Sequence, residues 1–227
     1  MPEQLTFSLP REPALGRSDF FVSPGNAAAV DTIQTWHDWP QGKLVLVGAK
    51  GAGKTHLAHV WAALTGARII AARDLAGAAI DELAEGPVAV EGCDAIAGQA
   101  ATEEALFHLH NLVLAQGQPL LLTAALPPAR WRLTLPDLAS RMQGSAMVTL
   151  GPPDDALLSA VLVKLFADRQ IVIEPAVVAY LVSHMERSFA GAGRLVQALD
   201  QAALAKRRRI TRALAGEVLD KLGQDGP

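Results

Sequence analysis

The residues with the clearest chemical meaning lie in the run KLVLVGAKGAGKT at positions 43–55. Gly48 and Gly53 frame four residues, and Lys54 and Thr55 follow, which fits the pattern G-x-x-x-x-G-K-[ST]. In such a loop, glycines let backbone N–H groups curl around phosphate oxygens, and the next helix adds the positive end of its dipole. The run therefore predicts a site for the phosphates of a nucleotide.

Each polar group of this loop has a predicted role. We expect Lys54 to reach the terminal phosphates and the Thr55 hydroxyl to ligate Mg²⁺. A glycine-rich turn that binds nothing is the alternative, but a strand-like run before the loop and a helix-like run after it favour binding. The predicted cofactor-binding residues of the loop are Gly48, Lys50, Gly51, Ala52, Gly53, Lys54, Thr55 and His56.

The stretch VAVEGCDAI at 88–96 indicates weak hydrolysis. A P-loop ATPase needs a carboxylate at a strand end for the Mg²⁺ shell and a second group that positions or activates water. Glu91 can take the first role with a longer reach, and it is predicted with Thr55 as a metal-binding residue. Gly92 cannot take the second role, and Asp94, two residues further on, is expected to have turned off the site. We therefore predict nucleotide binding with little or no hydrolysis in cis.

The elements that position these residues alternate between short apolar runs and longer amphipathic ones. Alternation of this kind predicts an α/β fold with a parallel sheet wrapped by helices. Strands are predicted at 43–47, 67–70, 88–90, 119–123 and 146–150, and helices at 55–66 and 102–116. After the GPPDD run at 151–155 the chain reads as helical, at 155–169, 175–186, 191–207 and 211–222.

This change of character predicts three regions. Residues 1–16 read as an N-terminal tail, 17–150 as an α/β nucleotide-binding domain, and 151–227 as a small all-helical domain. With 227 residues, half of them hydrophobic, the chain can bury a sizeable core.

Composition excludes several classes of function. The net charge of −3 gives no global basic field for nucleic acid, and the single cysteine, Cys93, cannot form an internal disulfide. No apolar stretch approaches the ~20 residues of a membrane span, and the N-terminus lacks the layout of a signal peptide. We expect a soluble, cytoplasmic protein with no membrane partner.

Several blocks resemble a known family. The segments FFVSPGNAAA (20–29), GAKGAGKTHLAHVW (48–61) and LFHLHN (106–111) are similar to the AAA+ domain of the bacterial replication initiator DnaA. The segments LLLTAALPP (120–128) and LPDLASRM (135–142) resemble more closely its shorter relative Hda, the regulatory inactivator of DnaA. The blocks follow the family's order over essentially the whole chain. The resemblance implies an AAA+ P-loop domain followed by a helical lid, with ADP or ATP and Mg²⁺ as cofactors.

The resemblance also implies roles for residues outside the loop. Phe21, Val22 and Asn26 match the segment that lines the adenine pocket. Arg187 resembles the lid arginine called sensor 2, which contacts the nucleotide from the helical region. A guanidinium is always charged and can bind phosphate oxygens in a forked geometry, which suits that role.

Arg141 matches the family's arginine finger, which reaches into the nucleotide of a neighbouring subunit. The family's polar sensor 1 position is occupied instead by Ala124 and Ala125. The cis site thus departs from the family in its magnesium ligand, its second acid and its sensor, while the finger is kept. This combination predicts action in trans, on the nucleotide of a partner.

The first residues resemble the short motif with which Hda proteins bind the DNA polymerase sliding clamp, the beta subunit. Its predicted contacts are Gln4, Leu5, Phe7 and Leu9, which can dock into a groove as an extended peptide. An ordinary edge strand is the alternative, because Leu5, Phe7 and Leu9 alternate as half-buried strand residues do.

The expected function is negative regulation of replication initiation, by stimulating the ATPase of DnaA while bound to the clamp and so to DNA indirectly. Two alternatives stay open: an active AAA+ ATPase of the loader or remodeller type, and a non-catalytic adaptor that recruits partners to the clamp or DNA. The sequence leaves open homodimer formation, the resident nucleotide, and direct DNA contact by the basic run 206–209. About twenty residues follow that run, too few for a helix-turn-helix domain.

Overall fold

A computed structural model describes residues 21–224 of the chain. Five strands form one parallel sheet with the order β2-β3-β4-β1-β5. Each lies where the sequence predicts it, with its ends shifted by at most one residue. The strands are β1 (Lys43–Val47), β2 (Arg68–Ala71), β3 (Val88–Glu91), β4 (Leu120–Ala124) and β5 (Ala146–Thr149).

Helices cover the sheet and form the region that follows it, with short 3₁₀ turns and loops between the elements. The sequence predicts six of them, and α1, α3 and α5 are additional. The helices are α1 (Ala27–Gln34), α2 (Lys54–Thr65), α3 (Ile80–Leu83), α4 (Ala100–Ala115), α5 (Pro136–Gln143), α6 (Asp155–Ala167), α7 (Pro175–His184), α8 (Phe189–Lys206) and α9 (Arg212–Gln224).

Strand β1 is the centre of the domain. It pairs with β4 on one side and β5 on the other, and all five of its residues are buried. One apolar core packs Val45 and Val47 against Leu106 and Leu109 of α4. On the other face, the core around Leu44 and Leu46 includes residues of α1 and α2. Burial on both faces explains why β1 reads as a continuous apolar run after Lys43.

The helical region has an apolar core of its own. Phe166 of α6, Leu181 of α7 and Leu195 of α8 are almost fully buried in it, together with Ala215 of α9. This matches the predicted AAA+ architecture of a parallel α/β sheet followed by a helical lid. The division of the chain near Gly151 stays a prediction, and the predicted clamp-binding residues Gln4, Leu5, Phe7 and Leu9 lie outside the described residues.

Candidate nucleotide-binding site

The phosphate loop leaves the carboxyl end of β1 in tight contact with its neighbours. The Gly48 amide donates to the Ala124 carbonyl at 3.1 Å, which continues the pairing of β1 with β4. A Cβ atom at Gly48 would lie 2.7 Å from the Leu150 carbonyl oxygen. Only glycine fits this close approach, so the sheet itself fixes the start of the loop.

Two further glycines of the loop meet the lid. Gly51 and Gly53 have φ values of +81° and +101°, a region that residues with a Cβ rarely adopt. Added Cβ atoms would come within 2.7 Å of Ser188 and Phe189, respectively. The Phe189 amide donates to the Gly51 carbonyl at 3.0 Å. The N-terminus of α8 therefore rests directly on the loop.

Lys54 and Thr55 open helix α2, as the motif predicts. The Lys54 ammonium donates to the carbonyls of Gly48 and Ala49 at 2.7 and 3.0 Å. Burial lowers the pKa of Lys54, while the charges of Asp94 and Glu91 act in the opposite direction. Both carboxylates therefore lie close enough to interact with this ammonium.

The remaining loop residues differ in exposure. Lys50 and Thr55 are exposed, Ala52 is buried, and His56 is partly buried at the start of α2. His59, one helical turn after Thr55, forms a hydrogen bond between its Nδ1 and the Thr55 carbonyl at 2.8 Å.

No group of three metal-ligating side chains from His, Cys, Asp and Glu is found within residues 21–224.

Glu91 ends β3 beside the loop. One of its carboxylate oxygens, Oε1, is buried and has no hydrogen-bond partner in the described part of the chain. A buried carboxylate oxygen without a partner is costly, and a hard cation such as Mg²⁺ takes oxygen ligands. Together with the exposed hydroxyl-bearing residue Thr55, Glu91 thus fits the predicted metal site.

Asp94 has not turned off the site, contrary to our expectation. Its Oδ2 accepts hydrogen bonds from the amides of Ala125 and Leu126 at 3.0 and 3.1 Å. These bonds fix the carboxylate at the end of β4, where its charge acts on Lys54. Gly92, at φ +72°, turns the chain after β3 toward this position of Asp94.

The predicted sensor 1 position, Ala124 and Ala125, offers no polar side chain. Ala124 is fully buried at the end of β4, and Ala125 contributes its backbone amide to Asp94. The nearest polar side chain on the strand is Thr123, whose hydroxyl accepts a hydrogen bond from the Gly92 amide at 3.2 Å. That hydroxyl joins β4 to the turn after β3.

The segment predicted to line the adenine pocket is held by one buried side chain. Asn26 accepts from the Ser23 amide at 2.8 Å and donates to the Phe21 carbonyl at 2.9 Å. Phe21 and Val22 are about half exposed, at 46% and 52%. Asn26 therefore shapes the segment, and Phe21 and Val22 supply its apolar surface.

The Arg187 side chain binds near the start of the lid rather than at the phosphate loop. Its guanidinium contacts the Asp155 carboxylate at 2.6 Å and the Pro153 carbonyl at 3.1 Å. Ser188, the next residue, packs on Gly51. The sensor 2 role stays a prediction, and it requires the guanidinium to turn away from Asp155 toward the phosphates.

Arg141 lies at the opposite end of β1 from the phosphate loop. Its carbonyl accepts a hydrogen bond from the Lys43 ammonium at 3.1 Å, which places it beside the first residue of β1. Five residues of strand, about 17 Å, separate that point from Gly48. The Arg141 side chain is exposed, so it faces solvent, away from the loop of its own chain.

A surface cavity of about 440 Å³ opens beside Arg141. Its lining combines apolar, polar and charged groups, among them a lysine that is only 2% exposed. The lining residues are Gln41, Lys43, Phe107, Asp137, Ser140, Arg141 and Gly144. Sequence reasoning did not single out Lys43, because a lysine at the start of a strand reads as a solvent-exposed residue.

Comparison with known proteins supports the AAA+ assignment. Residues 155–219 match the family model described as the lid domain of Hda. This match confirms the resemblance to Hda that the sequence predicts. No helix in the described residues is long and apolar enough to cross a membrane.

Solved structures share the overall fold. Domain III of the replication initiation protein DnaA from Thermotoga maritima matches 94% of this chain and 98% of its own, with a TM-score of 0.77 and 17% identity. AMPPCP-bound DnaA from Aquifex aeolicus matches 83% of this chain and 66% of its own, at TM-score 0.66 and 18% identity. The RuvB Holliday junction branch migration motor from Thermotoga maritima matches 86% of this chain and 66% of its own, with a TM-score of 0.66 and 20% identity. These likenesses establish the fold.

Proposed function

We propose that this chain is a nucleotide-binding regulator of replication initiation that stimulates ATP hydrolysis by the initiator DnaA through Arg141, acting in trans. One observation carries the proposal. Arg141 is exposed and lies at the far end of β1 from the phosphate loop of its own chain. An arginine in that place is unsuited to its own nucleotide and available to that of another protein.

The cis site is suited to holding a nucleotide rather than cutting it. The amides of the loop and the Lys54 ammonium would hold the phosphates, while Thr55 and Glu91 would hold Mg²⁺. The loop and the lid contact each other through the hydrogen bond from the Phe189 amide to the Gly51 carbonyl. The phosphates of bound ADP or ATP would add negative charge beside this contact. The role of the nucleotide in this proposal is to stabilise one arrangement of lid and sheet.

The chemistry then takes place at the partner. During phosphoryl transfer, negative charge spreads over the equatorial oxygens, and an arginine finger supplied from outside can raise the rate ~10³–10⁵-fold. Arg141 would provide that charge to the ATP bound by DnaA. The product, DnaA with ADP, would no longer initiate replication.

The N-terminal tail would recruit the chain to the sliding clamp. Gln4, Leu5, Phe7 and Leu9 would bind the sliding clamp and so bring the chain onto DNA. A linker rich in proline and glycine, 10–16, would separate this motif from the folded part. Tethering of this kind raises the effective concentration of Arg141 near DnaA on the same DNA.

The test measures ATP hydrolysis by DnaA with DNA-loaded clamp and this protein as wild type, Arg141→Ala or Arg132→Ala. Arg132 is also exposed and precedes α5, so its variant controls for loss of one surface charge. We expect stimulation by wild type and Arg132→Ala and none by Arg141→Ala. Absence of stimulation by wild type would refute the proposal and favour the adaptor.

The other alternative, an active AAA+ ATPase, has one structural observation in its favour. Asp94 is held near Lys54 by two backbone amides rather than turned away. The measurement is ATP turnover by the purified protein alone, as wild type and Asp94→Asn. We expect turnover far below the 1–10³ s⁻¹ range of ordinary enzymes. A rate within that range that Asp94→Asn abolishes would favour the active ATPase.

A further inference from the structure

Helix α5, which carries Arg141, depends on contacts at its ends. It has eight residues, and only Leu138 and Met142 are buried. Isolated helices shorter than ~12 residues are marginal in water, so tertiary contacts must hold this one in place. The position of Arg141 is therefore set by the packing of Leu138 and Met142 in the core and by what binds the two ends of α5.

The N-terminal end is held by a buried carboxylate on α4. Glu103 is fully buried and accepts hydrogen bonds from the amides of Thr134 and Leu135, both at 2.8 Å. The Thr134 hydroxyl donates to the same oxygen at 3.0 Å. Leu135 directly precedes α5, so Glu103 fixes where the helix begins.

The C-terminal end is held by Lys43. Its ammonium donates to the Arg141 carbonyl at 3.1 Å and lies 3.2 Å from Nε2 of His110. The same carbonyl also accepts a hydrogen bond from the Ser145 hydroxyl, just after the helix, at 2.9 Å. The last carbonyls of a helix lack partners within the helix, and a cation is favourable there because of the helix dipole. Lys43 thus binds the backbone of the very residue whose side chain is the predicted finger.

His110 supports this contact from α4. Burial lowers the pKa of His110, and the charges of Lys43 and Arg141 lower it further, although Asn111 acts in the opposite direction. The imidazole is therefore neutral at pH 7. Its Nδ1 donates to the Asn111 side-chain oxygen at 3.1 Å, which leaves Nε2 as an acceptor for Lys43. A continuous chain of hydrogen bonds joins α4, β1 and α5.

Burial of this lysine is costly. Lys43 is 2% exposed, and desolvation and the charge of Arg141 both lower its pKa. The two partners found for its ammonium in the described chain, His110 and the Arg141 carbonyl, are not carboxylates. The other residues of β1 are apolar. An aliphatic residue at this position would avoid the cost of a buried cation.

We propose that Lys43 is a positioning residue for Arg141: by holding the Arg141 carbonyl, it fixes the point from which the guanidinium projects toward a partner's nucleotide. The inference rests on the proposed function. An error of ~1 Å in the placement of a catalytic group can reduce a rate ~100-fold. Loss of the tether at the finger's own backbone therefore has a large effect on rate.

The test combines two measurements on Lys43→Met, with Lys221→Met as control. Methionine keeps the length of the buried side chain, and Lys221 is exposed on α9 in the lid. The first measurement is hydrogen exchange of the peptide covering α5, which needs no partner. We expect faster exchange there in Lys43→Met than in wild type, and unchanged exchange in Lys221→Met.

The second measurement is stimulation of DnaA hydrolysis by Lys43→Met over a range of its concentration, compared with wild type and Lys221→Met. We expect Lys43→Met to lower the maximal rate ~10–100-fold with little change in the concentration for half-maximal effect.

The outcomes separate this inference from the function on which it rests. Unchanged exchange in α5, or full stimulation by Lys43→Met, overturns the positioning role and leaves the trans finger standing. A rise in the concentration for half-maximal effect at an unchanged maximal rate also overturns it. If wild type does not stimulate DnaA, both fall together. If Lys43→Met fails to fold, Glu103→Gln loosens the other end of α5 and must speed hydrogen exchange in α5 and lower the maximal rate in the same way.

Discussion

Replacing Glu103 with glutamine tests how strongly the fold depends on one buried carboxylate. The side chain accepts hydrogen bonds from the amides of Gly98, Thr134 and Leu135 at 2.7, 2.8 and 2.8 Å. Burial alone raises the pKa of Glu103, but the bonds from Leu135, Gly98 and Thr134 outweigh it and leave that pKa below its ordinary value. The carboxylate is thus more stable in the folded protein than in the unfolded chain.

Glutamine keeps the shape of the side chain but replaces one acceptor oxygen with an NH₂ group. In its best orientation the remaining oxygen serves Thr134 and Leu135, and the NH₂ faces the Gly98 amide, a donor. The hydrogen bond lost to a charged acceptor contributes ~1.5–3 kcal/mol, and a buried amide without a partner costs ~1–3 kcal/mol. We expect the free energy of unfolding to fall by ~3 kcal/mol, and Tm by roughly 6–12 °C for a chain of this size.

The assay is urea unfolding followed by tryptophan fluorescence. All four tryptophans, Trp36, Trp39, Trp61 and Trp131, lie before the lid, so the signal reports on the α/β part. The control is Glu104→Gln, the same change one residue later at an exposed position. Equal, small losses in the two variants at pH 7 would refute the reasoning.

The pH dependence gives a second check on the same variant. Because the folded-state pKa of Glu103 is lowered, its contribution to the free energy of unfolding is complete above the ordinary carboxyl pKa of ~4.3. The contribution is lost as pH falls through the folded-state pKa. The stability gap between wild type and Glu103→Gln should therefore narrow on acidification below pH ~4. A gap that stays constant to pH 2 would contradict the assignment.

Three further predictions concern the loop, the histidine beside Lys43 and the tail. Lys54→Ala should weaken ADP binding ~100-fold in calorimetry, since it removes a charged hydrogen-bond donor to phosphate; undiminished binding would count against the loop. The folded-state pKa of His110 is lowered, so stability should fall as pH drops below ~6.5, where the unfolded chain alone takes up the proton. His110→Gln should weaken the pH dependence of the free energy of unfolding, measured by urea titration; an unchanged pH dependence would argue against a lowered His110 pKa. Gln4→Ala should abolish clamp binding in surface plasmon resonance without changing Tm; unchanged affinity would exclude the tail motif.

The sheet and the phosphate loop could be predicted because their signals are local. Each strand is a short apolar run, and the loop motif names its own glycines, lysine and hydroxyl. Helix α5 was missed because Pro136–Gln143 is polar overall, with two buried residues rather than a full apolar face. Its start depends on Glu103, thirty-one residues away from Thr134.

Neither Lys43 nor Glu103 could be recognised from the sequence. Glu103 and Glu104 are neighbours of one type, yet the first is buried and the second exposed. The side of α4 that faces the chain before α5 is set by packing over the whole domain. Lys43 likewise becomes buried because α4 and α5 meet over the start of β1, where it contacts His110 and Arg141.

The proposed loss of cis chemistry and the proposed finger concern opposite ends of β1. The phosphate loop follows the carboxyl end of the strand, while Lys43 and the Arg141 backbone lie at its amino end, about 17 Å away. No described hydrogen bond of Arg141 involves Gly92, Ala124 or Ala125, where the resemblance predicts that catalytic groups are replaced. Substitutions near the phosphate loop, at the carboxyl end of β1, therefore leave the contacts of Arg141 at its amino end unchanged. We call the amino end, where Arg141 lies, the finger end. The buried polar groups at Lys43 and Glu103, where a simple apolar pattern fails, lie at the finger end, as expected if that end carries the function.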